Sequence, residues 1–344
     1  MAFRNEAEPR LQRPARRRIG DAHLKRRKSR GGGMRDRYAR ARYLSGLDPE
    51  KDCHEIHRVH SRLEFPWDYG RGLEIALWKA CCVPAVSEQL HRSGHVEHLS
   101  QKRYDDTRIL LGEIVANGTE SSRGRQAIRQ INRAHRGVTY ANEDMLYILS
   151  TFIYEPVHWI DRWGWRKVTD AEKLGSFYFF RRIGRLMNID SLPEGYHSFL
   201  EFKNRYETRC FRYAESNRQV SEAILRLYVS WYPRPIARLM SPVLPARLDE
   251  QARRALGLPE PRSWATATNT AILTAHACFE RYAPRAAAKL TSRPAARTYP
   301  GYPTGYDLSE IGPTHDAAQP SKGRDGDRVL HRRKVDRTDL HHHG

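Results

Sequence analysis

An all-α fold is predicted by three features of the sequence. Apolar residues recur at three- and four-residue spacing through most of the chain between residues 43 and 290, the period of a helix face. No stretch sustains the period-2 alternation of a half-buried strand, and neither a strand–helix–strand rhythm nor an internal repeat appears. Proline, glycine and capping residues fall between the periodic runs, where helices start and stop.

In chain order, Asp48-Pro49 supplies a cap and a first-turn proline, and Ile56, Val59 and Leu63 share a face until Pro66. Leu73, Ala76, Leu77 and Ala80 form the next stripe, Pro84 interrupts it, and Val86 with Leu90 mark a short helix stopped by Gly94. Residues 101–165 read as three consecutive helices. Leu110, Leu111, Ile114 and Val115 line the first, which closes on Asn117-Gly118. Ser121 or Ser122 caps the second, in which Ile128, Ile131 and His135 fall at i, i+3 and i+7. Asn142 caps the third, with Met145, Leu149, Phe152 and Ile153 inward and a bend expected at Pro156. Thr169/Glu172 and Ser191/Glu194 have the spacing of capping boxes. Asn217 caps a helix carrying Val220, Ala223, Ile224, Leu227 and Trp231, broken by Pro233 and Pro235, and short helical pieces follow around Pro242, Pro245, Pro259 and Pro261. Residues 297–313, RTYPGYPTGYDLSEIGP, read as an extended segment packed on the body.

Charge divides the chain in three. Residues 1–42 hold fifteen Lys/Arg against four Asp/Glu and almost no large apolar residues, so this leader cannot bury enough surface to offset its ordering entropy and is expected to be disordered. A second loose tail is expected over residues 314–344. The body between, residues 43–313, carries +7 of the chain's +20, an ordinary value for a globular domain. Met34, after three glycines, is an alternative start to Met1. Five cysteines without CxxC spacing argue against a disulfide framework and for a reducing, cytoplasmic compartment, and the absence of CxxCH excludes covalent haem attachment by that motif. No apolar run is long enough for a membrane helix. The Lys25–Lys28 cluster comes without a recognition motif, so no specific nucleic-acid partner is expected.

The chemistry centres on His135, whose helix face is otherwise isoleucine and alanine. Such a histidine is either a satisfied core residue or the single imidazole that a b-type haem needs, and spacing alone leaves both open. Arg103 and Thr107 lie at i and i+4 on the preceding helix, able to present a cation and a hydroxyl to an anionic group or a bound ligand. A rival non-haem di-iron arrangement uses two Glu-x-x-His sets, Glu88/His91 and Glu155/His158, with Glu64 and Glu113 as further carboxylates. A non-catalytic helical binding protein is the third reading. His54, His57 and His60 read as solvated, and no Walker A, GxGxxG, GxSxG or HExxH motif occurs.

Six segments carry a family resemblance: RYLSGLDPEKDCHEIHR, EFPWDYGRGLEIALWKACCVPAVSEQL, QKRYDDTRILLGEIVANG, INRAHRGV, NEDMLYILSTFIYEPVHWIDRWGW and the closing TYPGY…LSEIGP. In that order the chain resembles the bacterial and fungal family named after the oxygenase MpaB and the rubber oxygenase called latex clearing protein. The resemblance covers residues 43–313. It implies a globin-related helical body around non-covalent haem b, with His135 as the iron ligand and Arg103 and Thr107 on the distal side. The implied reaction is dioxygen insertion at a C=C bond of a hydrophobic, isoprenoid or otherwise unsaturated small molecule or polymer, with an unidentified reductant as a further partner. Two departures are visible. Asp106 stands where the rubber-cleaving members carry a lysine, and their catalytic glutamate has no firm counterpart, Glu88 lying only in its neighbourhood. Phe152, Trp159, Phe177 and Tyr178 are the aromatic residues expected to line the substrate pocket.

Overall fold

The computed structural model describes residues 36–136, 140–282 and 298–312. These residues form fourteen α-helices and no strand, as the periodicity requires. The C-terminal tail and all of the basic leader except residues 36–42 lie outside the described residues. Helix α1 (Ala39–Ser45) already begins within the stretch assigned to the leader.

Prolines open helices where the sequence places them. After α2 (Cys53–Val59) and a π-helical turn, His60–Glu64, the chain turns at Phe65 and α3 (Pro66–Ala80) starts on Pro66. Helix α4 (Pro84–Ser93) starts on Pro84 and ends at Gly94, φ +64°, a left-handed conformation that glycine adopts without steric cost. A four-residue helix, α5 (His95–His98), leads into α6 (Ser100–Asn117) and α7 (Ser122–His135). Helix α8 (Asn142–Trp163) packs along α3 and continues through Pro156. The two helices close on Gly72, where a Cβ would stand 2.3 Å from the Cα of Pro156. The chain continues as α9 (Asp170–Leu186), α10 (Tyr196–Cys210), α11 (Glu215–Ser230), α12 (Arg234–Val243), α13 (Glu250–Ala255) and α14 (Ser263–Tyr282).

Two apolar cores hold these helices. One joins α3, α8 and α11 through Trp78, Trp159, Ile160, Ile224 and Leu227. The other joins α6 to α10 through Ile109, Ile114, Ile128, Ile153 and Phe177. The four aromatic residues expected around one pocket are therefore divided: Trp159 belongs to the first core, and Phe152, Phe177 and Tyr178 to the second.

Local signals hold unevenly. Ser121 caps α7 by accepting from the Gly124 N–H at 2.9 Å, and Thr169/Glu172 form a complete capping box on α9. Ser191 does not, because α10 starts five residues later with Gly195 as its cap. Asn142 sits just inside α8 and exchanges two hydrogen bonds with the backbone of Asp190. Asn217 is not a cap either: fully buried inside α11, its amide donates to the carbonyls of Arg212 and Ala255 at 2.9 Å and lies 3.3 Å from that of Cys82.

Buried polar clusters replace the solvated face read for the first histidines. His57 is 0% exposed, stacked on Phe179 at 4.4 Å with Nδ1 on the Ser176 hydroxyl and Nε2 on the Tyr69 hydroxyl. His60 is equally buried, its Nδ1 3.3 Å from Glu172, which pairs with Arg166, itself paired with Glu64. His54 is half-buried and donates from Nε2 to the Val115 carbonyl. A second cluster links α3, α8, α10 and the start of α13. Lys203 lies 2.7 Å from both Glu155 and Glu207, and Lys79 lies 2.9–3.4 Å from Glu155, Glu207 and Asp249.

The segment 298–312 straps across α6 and α7, with Leu308 and Ile311 in the second core. Gly301 N–H donates to Asp105, the Tyr302 hydroxyl to Asp106, and the Tyr306 hydroxyl to Glu113 at 2.8 Å. Gln130 of α7 donates to the Ser309 carbonyl at 2.9 Å.

Candidate functional site

Helices α6 and α7 form a hairpin, and its geometry brings the candidate residues level with one another. Arg103 lies fourteen residues before the end of α6 and His135 thirteen after the start of α7. At the 1.5 Å helical rise both stand about 20 Å from the turn. Gly124 permits that turn, since a Cβ there would lie 1.9 Å from the Gly118 carbonyl oxygen.

His135 is half-buried at the end of α7. Its Nδ1 lies 2.7 Å from the carbonyl oxygen of Ile131. A carbonyl only accepts, so the proton is on Nδ1 and the Nε2 lone pair is left available. Burial, and secondarily the charge of Arg103, hold the imidazole below its ordinary value, against the opposing pull of the Ile131 carbonyl. The ring is therefore neutral at pH 7, the state and orientation a metal-ligating histidine requires, with its second nitrogen tied to a backbone carbonyl.

Arg103 and Thr107 share one face of α6, as their spacing requires. The guanidinium donates from Nη1 to the Thr107 hydroxyl at 2.8 Å, and that hydroxyl reaches back to the Arg103 carbonyl at 3.4 Å. The field of Arg103 is felt by His135, Tyr140 and Cys81. Tyr140 lies beside the imidazole, ring centroids 6.3 Å apart, and packs on an apolar cluster containing Val83, Val86, Leu90, Ile148 and Phe202. Burial pushes the Cys81 thiol up to about 12, so it is a neutral wall residue and not a thiolate ligand. Tyr140 and Cys81 went unnoticed in the sequence; neither lies at a helical spacing from His135 that would mark it.

Asp106 does not face this group. Its carboxylate is buried and held by Lys102 at 3.2 Å and by the hydroxyl of Tyr302, so the charge reversed at this position serves the strap. The carboxylates of the di-iron arrangement are dispersed. Glu88 is exposed and pairs with Arg92, and Glu155 is locked between two lysines while His158 faces solvent. Glu64 pairs with Arg166, and Glu113 with Arg123. Among the described residues no three or more His, Cys, Asp or Glu side chains converge as metal ligands. The donor set at His135 is thus one neutral imidazole, with an arginine and a threonine on the neighbouring helix. One imidazole is what the chain would contribute to a group that brings the rest of its metal ligands with it, as a b-type haem does.

Comparison with known proteins identifies a family. The family described as ER-bound oxygenase mpaB/B'/rubber oxygenase, catalytic domain, matches residues 82–288, a span that contains Arg103, Thr107 and His135. The chain is similar to ER-bound oxygenase mpaB of Penicillium roqueforti (strain FM164), 29% identical over 158 residues, 44% of this chain and 53% of the relative. It is also similar to ER-bound oxygenase mpaB' of Penicillium brevicompactum, 24% identical over 268 residues, 72% of this chain and 63% of the relative. The chain thus spans about half to two-thirds of the length of these relatives. With the matched domain covering more than half of it, the chain belongs to the mpaB/rubber oxygenase catalytic-domain family.

Proposed function

We propose that the protein is a haem b-dependent oxygenase that inserts dioxygen at a C=C bond of a hydrophobic, isoprenoid-like or otherwise unsaturated substrate, with residues 43–313 as the catalytic body. The observation that carries this reading is the neutral imidazole of His135, its Nε2 lone pair available and Arg103 close enough to shift its titration. His135 would hold the iron of the haem, which when bound supplies the site for dioxygen. The guanidinium of Arg103 offers a fixed positive charge for a propionate or for negative charge developing on oxygen. The Thr107 hydroxyl accepts from the Arg103 guanidinium and holds that cation against α6. The apolar cluster on which Tyr140 packs would offer a hydrocarbon chain an apolar wall. One dioxygen inserted across the C=C bond would leave one oxygen atom in each of two carbonyl products, and an unidentified reductant is a further candidate partner. Five unpaired cysteines suit a reducing, cytoplasmic setting, and no described helix is long and apolar enough to cross a membrane.

Purification with adequate haem, followed by an absorption spectrum and iron analysis, tests the reading. A Soret band with one iron per chain, lost in His135→Ala, is expected. Colourless, iron-free protein points to a binding role, and iron near two atoms per chain without a Soret band points to a di-iron site.

A further inference from the structure

Helix α7 presents a row of arginines to solvent on the side away from the candidate site. Residues 122–136 hold five arginines and no acid. Arg125, Arg129, Arg133 and Arg136 are all exposed. At 3.6 residues per turn these four fall within about 80° of arc, roughly 120° round the helix from Ile128, Ile131 and His135, and the row runs about 16 Å along the axis. Arg125 donates to the backbone carbonyl of Glu120, and none of the four pairs with a carboxylate among the described residues.

Such a row does not serve the helix that carries it. Like charges at i, i+4 destabilise a helix, and α7 contains two such pairs, Arg125/Arg129 and Arg129/Arg133. The helix dipole favours cations in the last turn, which accounts for Arg133 and Arg136, but it opposes Arg125 near the N-terminus. Other helices of the chain neutralise their arginines internally: Arg92 pairs with Glu88, Arg218 with Glu215 and Glu222, and Arg254 with Glu250. The charge on α7 is left for something outside the chain.

The flanks of α7 narrow what that is. Gln130 donates to the Ser309 carbonyl of the strap at 2.9 Å, and Asn132 donates to the Leu186 carbonyl at the end of α9 at 2.9 Å. Arg185, exposed on that end of α9, extends the basic area. A helix held on both flanks does not stand clear enough to enter a DNA major groove, about 12 Å wide, and α7 has no aromatic side chain on which a base could stack. A second copy of the chain would bring the same arginines and be repelled. A broad basic face is complementary to the acidic face of another protein.

We propose that the arginine row of α7 is the docking face for a small acidic electron-carrier protein of the iron–sulfur or flavin class. The proposal rests on the haem reading above and gives its unidentified reductant a chemical class and a place. Arg133 and Arg136 flank His135 in sequence, so a carrier on the row stands about one helix diameter, roughly 10–12 Å, from the imidazole. The transfer moves one electron, from the reduced carrier to ferric haem iron, and neither a bond nor a proton. Electron-transfer partners meet through small interfaces and are steered by opposite charge, a use for which unpaired arginines are suited.

The test is isothermal titration of the full chain with a plant-type 2Fe–2S ferredoxin, an acidic carrier of this class. Micromolar binding is expected at about 0.1 M salt and its loss near 1 M, where the screening length falls to about 3 Å. R129E/R133E changes exposed side chains only and should keep the parent's circular dichroism while binding about tenfold more weakly. R226E/R254E makes the same change of charge at arginines paired on α11 and α13 and should bind as the parent does. In haem-loaded protein, reduced ferredoxin should reduce the iron about tenfold more slowly in R129E/R133E, with reduction by dithionite unchanged. The proposal is overturned if ferredoxin does not bind, if the two double variants weaken binding equally, or if the rate of reduction is the same in R129E/R133E as in the parent. It is overturned too if duplex DNA binds the parent more tightly than ferredoxin and R129E/R133E loses that binding, or if R129E/R133E changes the oligomeric state without a carrier. Binding is read at any haem content: a missing Soret band counts against the haem reading alone, and a Soret band without ferredoxin binding against the docking face alone.

Discussion

Lys203→Met should be among the most damaging single substitutions away from the candidate site. The ammonium is 1% exposed and lies 2.7 Å from both Glu155 and Glu207. Against the penalty of burial, which acts in the opposite direction, Lys203 and then Lys79 hold the Glu155 carboxyl down at about 2, from an ordinary 4.5. At 1.36 kcal/mol per unit that displacement corresponds to roughly 3 kcal/mol of stability in the charged form. Removing one member of a buried pair typically costs about 3–5 kcal/mol, because the partner remains buried. Lys79, 3.4 Å from Glu155, moderates the loss, so about 3 kcal/mol is expected from urea unfolding at pH 7. The double variant Lys203→Met/Glu155→Gln should recover part of it. The sign with pH follows from the lowered carboxyl: the stabilisation is complete above the unfolded value near 4.5 and is lost as pH falls toward 2. The variant's stability should therefore fall less steeply than the parent's over that window. A loss below about 1 kcal/mol, the scale of an exposed ion pair, together with an unchanged acid limb, would refute the argument.

Other outcomes follow from features away from this cluster. Burial holds His57 neutral, well below its ordinary 6.5; stability is complete above 6.5 and declines as pH falls below it, and His57→Gln should flatten that decline in denaturation curves taken across the acid limb. Gly72→Ala places a methyl group 2.3 Å from the Pro156 Cα and should cost about 1–3 kcal/mol, read as a lowered melting temperature. Tyr302→Phe removes the hydroxyl that donates to buried Asp106; a hydrogen bond to a charged group is worth about 1.5–3 kcal/mol, and the loss should appear as faster amide exchange in residues 298–312.

What the sequence made legible is what is local. The α6–α7 hairpin could be read because Asn117-Gly118 and Ser121 act within a few residues of the helices they end and begin, and the i, i+4 pairing of Arg103 with Thr107 is fixed by the helix itself. His57 and His60 were misread because what buries them comes from far along the chain: Ser176 is 119 residues from His57, and Glu172 belongs to α9. Asn217 has the chemistry of a cap, but three carbonyls from separate segments surround it inside a helix. Lys79 sits in the apolar run LEIALWKACC without any local sign of the acids from α8, α10 and Asp249 that surround it. Asp106 could be seen as a departure from the family, but its partner Tyr302 lies 196 residues away.

That separation also sets an order of assembly during synthesis. At translation rates of about 5–20 residues per second, residue 302 leaves the ribosome on the order of 10–40 s after α6 has been made. During that interval Asp105, Asp106 and Glu113 lack the strap contacts that hold them in the finished fold. The nascent hairpin still has its Ser121 cap and the Glu113–Arg123 pair, whereas the clamp across its outer side arrives among the last parts of the chain. A ribosome-stalled chain ending before residue 298 would therefore contain the three candidate residues of the site but not the segment that fixes the helix carrying two of them.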